Sequence, residues 1–260
     1  MVTIRVAVAG ATGKLGSVAV RLIGDADDLE LVAELSSRSA LDQMLHADVL
    51  VDMTLPHVSP SIVAFAIDHG INVVVGTSGW SDDRIRELSA RVSAHEGTGA
   101  IVVPNFSLGS ALGTVFATVA GRFFDSIEIV EAHSASKLDS PSGTAVRTAE
   151  LMSAARAERG PVIAPHSDQR ARGQQVASIP LHSLRMEGVV AQQQVVFGGV
   201  GETLTIRHDT LDSRAYEPGI LLAIRRAASC VGVSVGLESL FDLGISAVQP
   251  GAGAHTPPEK

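Results

Sequence analysis

Cysteine, aromatic residues and excess positive charge are all scarce in this 260-residue chain. The single cysteine, Cys230, excludes an internal disulfide, and no cysteine–histidine cluster has the spacing of a zinc site. Cys230 lies in an apolar helical pattern, the setting of a small buried side chain and not of a nucleophile. A net charge of −8, with neither a basic face nor a basic tail, argues against general binding of nucleic acid or anionic membranes. No apolar run approaches the ~18 residues of a membrane span, and the segment before Gly10 is too short for a signal peptide. The expectation is a soluble, cytoplasmic protein. What remains is globular in composition, 45% hydrophobic and 18% charged, and long enough for a substantial core in one domain or two.

The densest chemistry sits in residues 131–145, directly after the apolar run 127–130. His133, Lys137 and Asp139 precede a helix start, read here as a Ser140 cap with Pro141 in the first turn and a helical pattern over 143–158. Such a start leaves unpaired amides around Ser142, Gly143 and Thr144, a seat for an anion. His133 and Lys137 are then expected on the strand-to-helix connection. A proton donor, a cation and an anion seat suit a small acid held while a proton moves. An ordinary strand-to-helix loop with two solvated basic residues is the competing reading.

Upstream, the strand pattern 4–9 runs into Gly10, Ala11, Thr12, Gly13, Lys14 and Leu15, closed by Gly16 and followed by an amphipathic helix over 14–23. Glycines at this spacing let the backbone approach a pyrophosphate while the helix start supplies amides. A structural turn is the alternative, but the strand-before and helix-after setting favours a dinucleotide. The second strand, 29–35, ends in Ser36, Ser37 and Arg38. Two hydroxyls and an arginine suit a 2′-phosphate better than the acid typical of NAD sites, so NADPH is expected to be preferred, with NADH as the lesser cofactor. Strand patterns at 48–53, 72–75 and 100–103 alternate with helical ones at 59–69 and 82–95. That alternation specifies a doubly wound parallel sheet of the α/β class, with its ligand at the carboxyl ends of the strands. Gly76, Thr77 and Ser78 lie at one such end, and Val103, Pro104, Asn105 and Phe106 at another. After a helix over 110–124 and a strand over 127–132, the pattern changes. Residues 175–185, 189–197 and 203–208 read as long strands joined by short turns, hence a separate antiparallel sheet. A helix over 218–231 follows, residues 235–243 are expected to return to the first sheet, and the Gly/Pro-rich tail 244–260 reads as disordered.

These pieces together resemble one family, 4-hydroxy-tetrahydrodipicolinate reductase (dihydrodipicolinate reductase), of bacterial lysine and diaminopimelate synthesis. The resemblance is carried by residues 6–16, 76–79, 104–107, 131–133, 137–145 and 197–209, with 137–145 the most specific stretch. It runs from about residue 4 to 243. It implies a Rossmann-like domain from residues 1–107 and 217–260, and an inserted α+β domain, 108–216, whose open, largely antiparallel sheet builds a homotetramer. It also implies hydride transfer from NAD(P)H to an unsaturated cyclic imine dicarboxylate, with no metal. His133 and Lys137 match the family's catalytic pair, and Gly143 and Thr144 its carboxylate seat. Residues 10–15, 76–78 and 103–106 match its cofactor contacts.

One departure stands out: Ser134 occupies the place of the family's second histidine, a substrate ligand, and so brings no charge to the dicarboxylate. Met53 and Leu55 also replace the family's usual Phe and His. A reductase of a different cyclic imine or enamine carboxylate is therefore one rival, and a non-catalytic dinucleotide-binding sensor is another. A short-chain dehydrogenase is disfavoured, because its Tyr-x-x-x-Lys pair is absent: the only tyrosine, Tyr216, has Ile220 four residues on.

Overall fold

The computed structural model describes residues 3–243; the tail expected to be disordered lies outside them. Two sheets organise the chain. In the first, strands β1 (Ile4–Ala9), β2 (Leu29–Leu35), β3 (Val49–Asp52), β4 (Asn72–Val75), β5 (Gly99–Val102) and β11 (Gly232–Val235) lie in the order β11-β5-β4-β3-β1-β2, all parallel. The central strands are buried on both faces, as their unbroken apolar runs require. Helices α1 (Lys14–Gly24) and α6 (Glu217–Ala227) share one core with Val6, Val8, Val49 and Ile101. Helices α2 (Ser59–Asp68) and α3 (Asp82–Ser93) cover the other face, around Ala7, Leu50 and Val73. This is the doubly wound α/β arrangement that the alternation of patterns demanded. The return strand is Gly232–Val235, slightly earlier than the expected 235–243, and Cys230 lies half-buried just beyond α6.

The second sheet has five strands in the order β10-β9-β6-β8-β7, formed by β6 (Ser126–Ser134), β7 (Gln174–Val176), β8 (Ile179–Met186), β9 (Ala191–Gly199) and β10 (Glu202–Thr210). Here the structure corrects the sequence reading twice. Residues 175–185 are not one strand, because Ala177 and Ser178, both at positive φ, turn the chain between β7 and β8. Nor do β8 and β9 pair with each other. The earlier strand β6 lies between them, parallel to β8 and antiparallel to β9, so the sheet is mixed although most of its pairings are antiparallel. An apolar central strand can take partners from distant sequence, which turn spacing alone does not reveal.

Helices α4 (Leu108–Ala120) and α5 (Gly143–Ala155) pack on the face that carries Ile127, Ile129 and Phe197. The cap of α5 is Ser142 and not Ser140: its hydroxyl accepts from the Ala145 amide at 3.2 Å, placing Pro141 outside the helix. His133 is likewise within β6, not on the connection after it. That difference fixes its ring on a rigid element.

Candidate active site

At the carboxyl end of β1 the chain turns at Gly10, whose φ is 78°. A β-carbon there would stand 2.4 Å from the Met53 carbonyl oxygen, and one at Gly16 would stand 2.0 Å from the Gly10 oxygen. Neither position tolerates a side chain. Gly13 caps α1 without a side-chain acceptor, and no acidic residue occupies the first turn, so the first amides of the helix face outward. Thr12, Gly13 and Lys14 are exposed, Leu15 is half-buried and Ala11 is in the core. This cradle fits a pyrophosphate. The Gly10 and Ala11 amides donate to the Leu35 carbonyl, which ties the cradle to the tip of β2. There Ser36 and Arg38 are exposed, the Ser36 hydroxyl accepts from the Arg38 amide at 3.3 Å, and the guanidinium makes no ion pair with the described residues.

The ends of β3, β4 and β5 crowd together. A β-carbon at Gly76 would stand 2.5 Å from Met53 Sδ and 2.8 Å from the Phe106 ring. Thr77 Oγ1 accepts from the Thr54 amide at 2.8 Å, joining the loops after β3 and β4. Val103 and Phe106 are buried in the core, so their side chains hold the loop while Pro104 and Asn105 reach the surface.

A cleft of about 420 Å³ lies between the two sheets. It brings together Thr77, Ser78 and Pro104 from the first and His133, Lys137, Ser142, Gly143 and Thr144 from the second unit. Ser134 does not line it; its hydroxyl lies 2.9 Å from that of Ser136. A larger cavity, about 650 Å³, lies between α2 and α3, but none of the predicted residues lines it.

Beside the cleft lies Glu131, to which the sequence alone assigns no role. Glu131 and His133 alternate onto the same face of β6, and Arg185 on β8 is the register partner of His133. The Glu131 carboxylate is completely buried. It accepts from Arg185 Nη1 and Nη2, both at 2.9 Å, and from the Ser142 amide at 3.2 Å, and it meets His133 Nδ1 at 2.6 Å. Burial alone would raise its pKa, but the hydrogen bonds from His133 and Arg185 outweigh that and hold it at about 2. An ionised carboxylate only accepts, so His133 Nδ1 carries a proton and Nε2 is left for other work. The Ser142 amide is engaged by Glu131, which leaves Gly143 and Thr144, at the first two positions of α5, as the open amides of the anion seat. Lys137 Nζ pairs with Asp139 Oδ1 at 2.8 Å and is mostly shielded, while Arg185 Nη2 also donates to the Asp139 carbonyl at 2.6 Å. Arg185 thus holds both the histidine's anchor and the lysine's loop. The alternation of Glu131 and His133 was a readable signal; Arg185, 54 residues away from Glu131, gave none.

The depressed Glu131 pKa has a definite consequence for stability. An unfolded glutamate titrates near 4.5 and the folded one near 2, so its bonds support the fold fully above pH 4.5 and are lost as pH falls through about 2. Urea melts across that window should show a steeper acid loss for the wild type than for Glu131→Gln. Identical slopes would contradict the clamp.

A family model described as the N-terminus of dihydrodipicolinate reductase matches residues 4–106, and one for its C-terminus matches 108–241. The 4-hydroxy-tetrahydrodipicolinate reductase of Clavibacter sepedonicus is 61% identical over 241 residues, covering 93% of this chain and 87% of that one. Its counterpart in Streptomyces griseus subsp. griseus is 45% identical over 249 residues, 94% of this chain and 100% of that one. Among solved structures, the dipicolinate-bound dihydrodipicolinate reductase from Paenisporosarcina sp. TG-14 superposes with a TM-score of 0.81 at 30% identity, covering 92% of this chain and 100% of that one. Two matched halves, long relatives and a common fold give one answer: the chain belongs to the dihydrodipicolinate reductase family.

Proposed function

We propose that this protein is a 4-hydroxy-tetrahydrodipicolinate reductase, producing tetrahydrodipicolinate for lysine and diaminopimelate synthesis in the cytoplasm. The observation that carries the reading is the single cleft joining strand-end residues Thr77, Ser78 and Pro104 to His133, Lys137 and the start of α5. Residues 1–107 and 217–260 act as the dinucleotide domain and 108–216 as the substrate domain. Among the described residues no helix is long and apolar enough to cross a membrane.

The glycine cradle of residues 10–15 would hold the pyrophosphate, Ser36 and Arg38 the 2′-phosphate, and Gly76, Thr77, Ser78 and residues 103–106 the nicotinamide half. NADPH, once bound, supplies the hydride. On the protein's side, the Gly143 and Thr144 amides receive one substrate carboxylate at the positive end of α5. As hydride joins a ring carbon conjugated to C=N, an electron pair arrives on the ring nitrogen, and a proton must meet the new charge. His133 Nε2 and Lys137 Nζ both border the cleft and are the groups able to deliver it. Buried Glu131 steadies His133 in the tautomer that suits this task. Ser134 faces Ser136 and not the cleft, so its replacement of the family's histidine leaves the proton-moving pair in place.

The open sheet face supports a homotetramer. Both α4 and α5 pack on the opposite face, leaving Leu184 and Met186, 46% and 50% exposed, beside half-buried Val130 and Val196. Sedimentation velocity should report four chains, and a lone monomer at micromolar concentration would contradict the assembly.

Two kinetic outcomes follow from the site. Lys137→Ala should lower kcat by roughly 100- to 10,000-fold, the usual contribution of a positioned proton donor. Its NADPH affinity, read from quenching of Trp80, the only tryptophan and a cleft residue, should be unchanged. Near-normal turnover would remove Lys137 from the mechanism. The KM for NADPH should lie below that for NADH, and the gap should narrow in Arg38→Ala; a lower KM for NADH in the wild type would contradict the phosphate site.

A further inference from the structure

Behind His133 the cleft continues into a small cavity of about 20 Å³, bordered by His133, Ser142 and Thr144 on one side and by Gln193 and His208 on the other. Register explains the grouping. His208, Gln193 and Glu131 lie directly opposite one another across β10, β9 and β6, and in the next row small Ala191 stands beside His133. All point to the face covered by α4 and α5.

Gln193 is held in one orientation. Its Nε2 donates to Thr148 Oγ1 at 3.0 Å, and the Thr148 hydroxyl gives its own proton to the Thr144 carbonyl at 2.8 Å. With that proton on the Thr144 carbonyl and the Thr114 hydroxyl also 3.0 Å away, Thr148 Oγ1 accepts from the glutamine, which sets the amide nitrogen toward α5 and the oxygen away from it. That oxygen, Oε1, is buried and has no protein donor. Its flanking neighbours do not help: Glu131 is a carboxylate, and His208 Nε2 lies 3.2 Å from the Ser107 hydroxyl. A buried carbonyl acceptor without a donor is unfavourable, so the donor comes from what enters the adjoining cavity, a water or a group of the site's ligand.

Building on the substrate reading above, we infer that Gln193 is a specificity-determining residue whose Oε1 accepts a hydrogen bond from the ring N–H of the substrate. The nitrogen has such a proton at two stages. The imine gains it on protonation, and the enamine keeps it once hydride has formed the new C–H bond and the π electrons have shifted onto nitrogen. When the enamine carbon then takes a proton and C=N re-forms, the N–H proton leaves and the bond to Gln193 is released. The site thereby favours a ring nitrogen that donates over one presenting only a lone pair.

Two ring dicarboxylates separate these cases. Piperidine-2,6-dicarboxylate carries protons on its nitrogen, whereas pyridine-2,6-dicarboxylate at neutral pH does not. Calorimetric titration of the NADP⁺-loaded enzyme should show Gln193→Leu weakening the piperidine compound by about tenfold or more, as expected for a lost buried hydrogen bond. The pyridine compound should bind that variant as well as, or better than, the wild type. Thr148→Val, which frees the amide while keeping side-chain volume, should reduce the discrimination in the same direction and covers the case in which Gln193→Leu does not fold. Equal weakening of both ligands would overturn the inference by assigning Gln193 a packing role, and so would no change in either. Failure of both ligands to bind the wild type would overturn the substrate reading and this inference with it.

Discussion

A carboxylate buried without partners is among the least favourable groups a protein can hold, and Glu131 is buried completely. The second half of the molecule is built to satisfy it. Arg185 comes from β8, His133 from two residues along β6 and the Ser142 amide from the start of α5, so one side chain joins two strands and a helix. Removing one member of such a buried set generally costs about 3–5 kcal/mol, because the charge left behind has nowhere to go. The same bonds that stabilise the fold orient the imidazole and position the start of α5. Stability and chemistry share these atoms.

The dinucleotide half shows a different constraint, one of space and not of charge. Gly10, Gly16 and Gly76 each lie where a single added carbon would strike a neighbouring loop or strand end. Close approach of these segments ties the ends of β1, β3 and β4 together: the Gly76 amide donates to the Asp52 carbonyl and the Met53 amide to the Ala9 carbonyl. Because β11 and α6 return to this sheet after the second unit is complete, the two halves are joined by more than one connection. Arg147 on α5 adds a further link, donating to Glu238 Oε1 at 2.9 Å and to the Val235 carbonyl at 2.9 Å. The cleft walls are thus braced from both sides.

Much of this was legible in the chain. The alternation of apolar strands with helices fixed the parallel sheet, because buried parallel strands need unbroken runs such as Val49–Asp52 and Asn72–Val75. Thr77, Ser78 and Pro104 at the strand ends and the stretch 131–145 marked the two sides of the cleft. Position within the second sheet was not legible. Nothing local tells Ile179–Met186 to pair with β6 and not with the strand that follows it, since both carry similar apolar residues. Arg185 was hidden for the same reason, as was the alignment of Gln193 with Glu131 and His208. The helix cap at Ser142 was misread because Ser140 and Pro141 carry a start signal of their own, and the hydroxyl that reaches Ala145 can be chosen only once the turn is seen.

Glu131, clamped by Arg185, imposes one tautomer on His133. Nitrogen-15 NMR of the imidazole in the intact enzyme tests it most directly. His133 should carry its proton on Nδ1 in the neutral ring, leaving Nε2 bare. A neutral ring protonated on Nε2, with Nδ1 bare against Glu131, would contradict it.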